Sequence, residues 1–267
     1  MHANPTINQI RQQLVDLSYK NKVPHLASAL SCVDILYTLY FNILNIRPNE
    51  PEWPLRDRFL LGKGHAVAAL YCTLGQRGFF DSEAVYGLGK DGSVFEEHPG
   101  INSPAGVENI SGSLGHALGL ATGMAKAAKI KQNSAHFYVL VGDGELNEGT
   151  NWEAAMFAPA HHLDNLTVIV DFNKLQGTGR SCEIMHLHDL ADKWRAFGWN
   201  THEVDGHDCS ALQNALSQKS CSTGLPRAIV AHTVKGAGIS FMQDDNNWHY
   251  RIPTQQEVTE TARELGI

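Results

Sequence analysis

Two uninterrupted apolar runs constrain this chain most: residues 136–141 (HFYVLV) and 166–170 (LTVIV). A strand with one wet face alternates apolar and polar residues, whereas a continuous apolar run needs both faces covered. Two further runs, 201–204 and 228–234, read as strands. Helical stretches at 152–162, 187–197 and 210–218 alternate with them. That alternation predicts an α/β fold with a doubly wound parallel sheet and helices on both faces. In such sheets ligands bind at the carboxyl ends of the strands.

The N-terminal third is more helical. Thr6 and Gln9 form a capping box for a first helix that buries Ile7, Ile10, Leu14 and Leu17. A second helix begins near Ser31, buries Val33, Leu36, Leu39, Tyr40 and Ile43, and ends before Arg47-Pro48. The stretch LGKGHAVAAL reads as a loop entering a helix over 64–74, residues 78–111 as surface connection, and a last short helix starts near Thr254. Residues 115, 119 and 123 are glycines spaced by four, on one face of a helix, and imply close packing against another backbone. No repeat or linker divides the chain, so residues 1–267 are expected to form a single domain.

Composition excludes several partners. The net charge is −7 (21 Lys+Arg, 28 Asp+Glu) with no basic cluster, which argues against nucleic acid or a membrane surface. No apolar run approaches the ~20 residues that span a bilayer. The start lacks the pattern of a secretory signal. The five cysteines (Cys32, Cys72, Cys182, Cys209, Cys221) form no CxxC pair and read as reduced thiols of a cytoplasmic protein.

The two long strands deliver oxygen-bearing side chains to one edge. HFYVLV runs into Gly142-Asp143-Gly144, and LTVIV runs into Asp171-Phe172-Asn173. Asp143 and Asn173 are hard ligands suited to magnesium or calcium, and a backbone carbonyl just past Asn173 could add a third. The flanking glycines would let amide donors approach a diphosphate. An isolated Gly-Asp-Gly is more simply a tight turn; the strand-end Asn favours the metal reading. His25, His65, His98 and His249 stand beside Gly or Pro or at element boundaries, which points to convergence on one site. His161, His162, His186 and His188 lack that setting and read as ordinary surface residues.

These features together resemble the N-terminal, diphosphate-binding half of transketolase, in the split form whose halves are separate subunits. The resemblance runs over about residues 7–255. It rests on His25 with LASALSCVDIL, on DRFLLGKGHAVAALY, EEHPG, SGSLGHALGLATGMA, VGDGELNEGTNWEAA, LTVIVDFNKLQGTG and AHTVKGAGISF, and on the closing NNWHY. It implies thiamine diphosphate and Mg2+, with Ca2+ or Mn2+ as substitutes, held by Asp143, Asn173 and the carbonyl of Leu175. His65, Gly144, Asn173 and His249 would contact the diphosphate, and Gly112, Ser113 and Leu114 the aminopyrimidine side. His25 and His98, joined by His249, would meet the substrate's hydroxyls and share in proton transfer. Glu148 would belong to a network linking two cofactor sites.

The implied reaction moves a two-carbon ketol unit from a ketose, free or phosphorylated, to an aldose. Neutral histidines suit its repeated proton transfers. The glutamate that activates the cofactor lies in the family's other half, so the expected working form is an α2β2 heterotetramer with a separate pyrimidine-binding C-terminal subunit. Two departures bear on the substrate: Leu26-Ala27 follow His25 where many relatives have Pro-Gly or Ile-Gly, and Tyr250-Arg251 follow His249 where many have Gly-Lys, adding bulk at Leu26 and Tyr250. The alternatives are the α subunit of another thiamine enzyme of the 2-oxo acid dehydrogenase type, or a non-catalytic cofactor-binding paralogue. A magnesium-dependent phosphate hydrolase would explain Asp143 but neither Asn173 nor the histidines.

Overall fold

Alternate residues of one strand feed two different cores. In the computed structural model, which describes residues 5–187, 189–217 and 224–267, Tyr138 and Leu140 pack into the larger apolar cluster. Phe137, Val139 and Val141 pack into the other, on the opposite face of the sheet. This is why the run is apolar from Phe137 to Val141. Each such side chain contributes roughly 1.5–3 kcal/mol when fully buried.

The sheet has five parallel strands: β1 (Arg58–Leu61), β2 (Phe137–Gly142), β3 (Leu166–Phe172), β4 (Asn200–Asp205) and β5 (Arg227–His232), in the order β1-β2-β3-β5-β4. Register places Gly142 of β2 opposite Asp171 of β3, so the segments after both strands leave the same edge side by side. β1 escapes the sequence reading. It has four residues at the sheet edge and ends at Leu61, before Gly62, too short to carry a periodic signal.

The expected capping box forms at Thr6, on the helix Ile7–Asn21, and a second one appears at Thr254, on the helix Gln255–Leu265. The second helix differs from expectation. It starts earlier, as Leu26–Leu30, breaks at Ser31-Cys32, continues as Val33–Thr38 and closes with a π turn over Leu39–Ile43. That apolar stretch, Leu26–Ile43, is 78% buried in the fold. The helix expected over 187–197 is confined to Leu190–Ala196. His188, Cys221 and the expected helix end at Gln218 lie outside the described residues.

The glycine stripe is corrected. Gly115 is not inside a helix but precedes His116–Ile130 as its N-cap, at φ 87°. Gly119 and Gly123 face open space: a Cβ on either would meet nothing within 4 Å. Packing against another helix of the described chain does not account for them.

Candidate active site

A cleft of about 300 Å³ opens at the carboxyl ends of β2 and β3. Asp143, Gly144, Asn173 and Leu175 line it, together with His25, His65, His98, His249, Gly112 and Leu114. The structure thus gathers loops far apart in sequence. The His25 ring centroid lies 5.4 Å from His65, 6.2 Å from His98 and 4.9 Å from His249. Ser113 and Glu148 do not line the cleft. Both are exposed, and Glu148 borders Gly115, where a Cβ would sit 2.5 Å from its own.

The backbone aims these histidines. His25 has φ 67°, a left-handed conformation that costs a bulky residue roughly 1–3 kcal/mol, and its amide donates to the His249 carbonyl at 2.9 Å. Burial, then the nearby His98, push His25 down to about 4. Burial pushes His65 well below the usual histidine range, with Lys63 adding to it. All three of His25, His65 and His249 are neutral at physiological pH, His249 being pushed down to about 3 by burial and Lys235.

The oxygen edge is equally ordered. Asp143 accepts from Ser181 at 2.7 Å and from the Gly144 amide at 3.0 Å. Asn173 accepts from the Leu175 amide at 3.1 Å, a turn that folds its side chain back over the segment leading to Leu175. Among the described residues no three His, Cys, Asp or Glu side chains cluster as a metal site. The available donors are one carboxylate, one amide oxygen and one backbone carbonyl. Two buried cleft atoms, His25 Nδ1 and Gln176 Nε2, have no hydrogen-bond partner among the described residues. They leave the cleft wanting a polar guest.

Four lining or neighbouring residues escaped the sequence reading. Lys63 is buried and pairs with Asp171, while also donating to the Ser28 carbonyl at 2.8 Å. Burial raises the Asp171 carboxyl, but Lys63 and the Ser31 and Thr233 hydroxyls outweigh it and hold it below the usual carboxylate range. Glu145 accepts from the amides of Gly115 at 3.0 Å and Gly142 at 3.1 Å, tying a helix start to a strand end. Lys235 donates to His249 Nδ1 at 2.9 Å. Gln176 forms the wall beside Gly144. Lysines and glutamates are common on surfaces, so only their burial marks these.

The departures behave differently from each other. Leu26 is 2% exposed and lies in the core, not in the cleft. Tyr250 is 66% exposed at the mouth, its ring 5.3 Å from His25 and 4.6 Å from His249. Arg251 turns away to pair with Glu257 at 2.5 Å and stack on Trp248.

A family model described as transketolase, thiamine diphosphate binding domain, matches residues 2–267. The chain belongs to the transketolase family. It is 40% identical over 256 residues to one of the named subunits of the apulose-4-phosphate transketolase of Phocaeicola vulgatus, covering 96% of this chain and 91% of that one. It is 39% identical to the 6-deoxy-6-sulfo-D-fructose transketolase subunit SqwG of a Clostridium species, covering 97% and 94%. The solved transketolase of Campylobacter jejuni superposes with a TM-score of 0.91 at 30% identity, over 98% of this chain. The chain spans 42% of the length of that transketolase. The sheet and its flanking helices are therefore those of the transketolase thiamine diphosphate binding domain.

Proposed function

We propose that this chain, folded as one diphosphate-binding domain, is the cofactor-binding subunit of a two-subunit transketolase. It transfers a two-carbon ketol unit from a ketose or ketose phosphate to an aldose acceptor. The observation that carries this reading is the convergence of four loop histidines above an oxygen-lined strand edge. A dehydrogenase acting on 2-oxo acids has no hydroxylated sugar for that histidine set to meet.

The residues present fit thiamine diphosphate and magnesium. Asp143, the Asn173 amide oxygen and the Leu175 carbonyl form a hard-oxygen set, suited to magnesium with phosphate oxygens and water completing the shell. Calcium or manganese would substitute. When bound, thiamine diphosphate supplies the electron sink that lets the bond beside a ketose carbonyl break. This chain's part is binding, orientation and proton handling. His65 and the Gly144 amide hold the diphosphate. His25 and His98 reach the sugar's hydroxyls and hold or release its protons, and the neutral His25 imidazole can accept one at working pH. Tyr250 stands at the mouth and narrows what can approach the histidines.

The partner supplies the pyrimidine side. Gly112, Ser113, Leu114 and Glu148 lie on the border where it would sit, in an α2β2 assembly in the cytoplasm. The open face of Gly119 and Gly123 continues that border as an interface between chains.

The test is reconstitution with the separately encoded C-terminal subunit, thiamine diphosphate and magnesium. Ketol transfer from xylulose 5-phosphate, without release of carbon dioxide from pyruvate, supports the reading. The reverse pattern replaces it with a component of a 2-oxo acid dehydrogenase, and cofactor binding without either reaction leaves a non-catalytic paralogue.

A further inference from the structure

Lys235 is fully buried, yet among the described residues it makes no ion pair. Its ammonium spends its three protons on neutral acceptors: Asn246 Oδ1 at 2.8 Å, His249 Nδ1 at 2.9 Å and the Gln176 carbonyl at 3.3 Å. Asn246 in turn donates to the Gly177 carbonyl at 3.2 Å, so the group spans from the histidine to the turn that walls the cleft. An ammonium has donors only. A proton on His249 Nδ1 would therefore oppose a donor at 2.9 Å, and the remaining arrangement puts the proton on Nε2. That nitrogen looks toward Gly177, where a Cβ would stand 3.2 Å from it.

We propose that Lys235 is a positioning residue, which takes the Nδ1 lone pair of His249 and holds that histidine as a neutral Nε2–H donor in the cleft. The consequence, which rests on the transketolase reading, is a division of labour among the histidines. His249 offers a hydrogen bond to an oxygen of the cofactor's diphosphate or of the sugar. It does not abstract a proton, because its one basic lone pair, on Nδ1, already accepts from Lys235. Proton abstraction is left to His25 and His98.

The surroundings act in the same direction. His249 is faced by His25 at 4.9 Å, His65 at 5.8 Å and Tyr250 at 4.6 Å, by Lys235, and by the Ser28 hydroxyl at 3.5 Å, with Lys63 beyond. None of these is an anion that would favour imidazolium. Burial and the Lys63 charge push Lys235 itself down to about 8, which keeps it largely protonated at neutral pH.

The test is ¹⁵N NMR of the histidine ring nitrogens in the full chain, assigned by a His249→Gln variant. Wild-type His249 should carry its proton on Nε2, with Nδ1 bare, from about pH 6 to about pH 8. In Lys235→Met a second population protonated on Nδ1 should appear, and the titration of His249 should rise toward the ordinary histidine range. Lys235→Arg should restore the wild-type tautomer. In parallel, calorimetry with thiamine diphosphate and magnesium on the chain reconstituted with its C-terminal partner should show about a tenfold loss of affinity in Lys235→Met, recovered in Lys235→Arg. A wild-type proton on Nδ1 overturns the proposal, and this needs no variant to fold. So does an unchanged tautomer in folded Lys235→Met. If the tautomer shifts as expected but the wild-type chain reconstituted with its C-terminal partner binds no thiamine diphosphate, the positioning role stands and the functional reading fails.

Discussion

Replacing Gly64 by alanine tests how the cleft is assembled. A Cβ at Gly64 would lie 1.7 Å from the Ser111 carbonyl oxygen and 2.6 Å from its carbon. Real Cβ atoms come no closer than 3.0 Å, so the two backbones must part by at least 1.3 Å. Neither side can give cheaply. Gly64 and Ser111 are both buried main chain, one adjoining His65 and the other adjoining Gly112. Overpacking of a core costs typically 1–3 kcal/mol, and contact with backbone belongs at the upper end, about 3 kcal/mol. For a chain of this size that lowers Tm by about 6–12 °C. The function suffers more, because a misplacement near 1 Å costs a catalytic site about a hundredfold. Thermal melting, calorimetry with thiamine diphosphate and magnesium, and turnover of the reconstituted enzyme read the three effects. Gly119→Ala is the control for melting of the chain by itself: within the chain its Cβ meets nothing, and it should gain about 0.5–1 kcal/mol from helix propensity. If Gly64→Ala melts and binds like the wild type, the close approach of the two loops is wrong.

Asp143→Ala should abolish magnesium-dependent binding of thiamine diphosphate while leaving the circular dichroism spectrum and most of the melting temperature intact; calorimetry showing undiminished affinity would move the metal elsewhere. In the assembled enzyme, His65→Ala should raise the cofactor concentration needed, whereas His98→Ala should lower turnover at saturating cofactor, and an exchange of those effects would reverse the two roles. Gly119→Leu should leave this chain's own melting nearly unchanged but weaken assembly with the partner or with a second copy, measured by light scattering; a large loss of chain stability with normal assembly would speak against an interface there. His136 is half-buried, with Nε2 2.8 Å from Thr167 Oγ1, and is pushed from 6.5 down to about 3 by desolvation and Arg227. Below pH 6.5 the unfolded chain binds the proton that the folded chain refuses, so stability present at neutral pH is lost as pH falls from 6.5 toward about 3. Melting should be less acid-sensitive in His136→Gln over that window, and an identical pH profile would count against the burial of a neutral imidazole.

Much of this protein is local in origin and therefore legible in the chain itself. The runs at 137–141 and 166–170 are apolar at every position but Thr167, because both faces of β2 and β3 meet a core. Thr6 and Thr254 cap their helices through residues three positions away, so neighbours in sequence suffice. Asp143, Asn173 and the four loop histidines stand out in the sequence as residues out of place, set by Gly and Pro at the ends of elements.

What needed the tertiary structure was everything decided by distant contact. β1 is a strand only because β2 lies beside it; four residues carry no period of their own. Leu26 and Tyr250 look alike as added bulk beside a histidine, yet the fold sends one to the core and the other to the cleft mouth. Gly64 and Gly119 are the same residue with opposite demands, one pressed against Ser111 and the other open. Lys63 and Lys235 read as surface charges until burial is known, since a lysine's role depends on what replaces its water. At Lys63 that is the carboxylate of Asp171, and at Lys235 it is the ring nitrogen of His249, 2.9 Å away. Those partners stand 108 and 14 positions along the chain, and only folding brings them within reach.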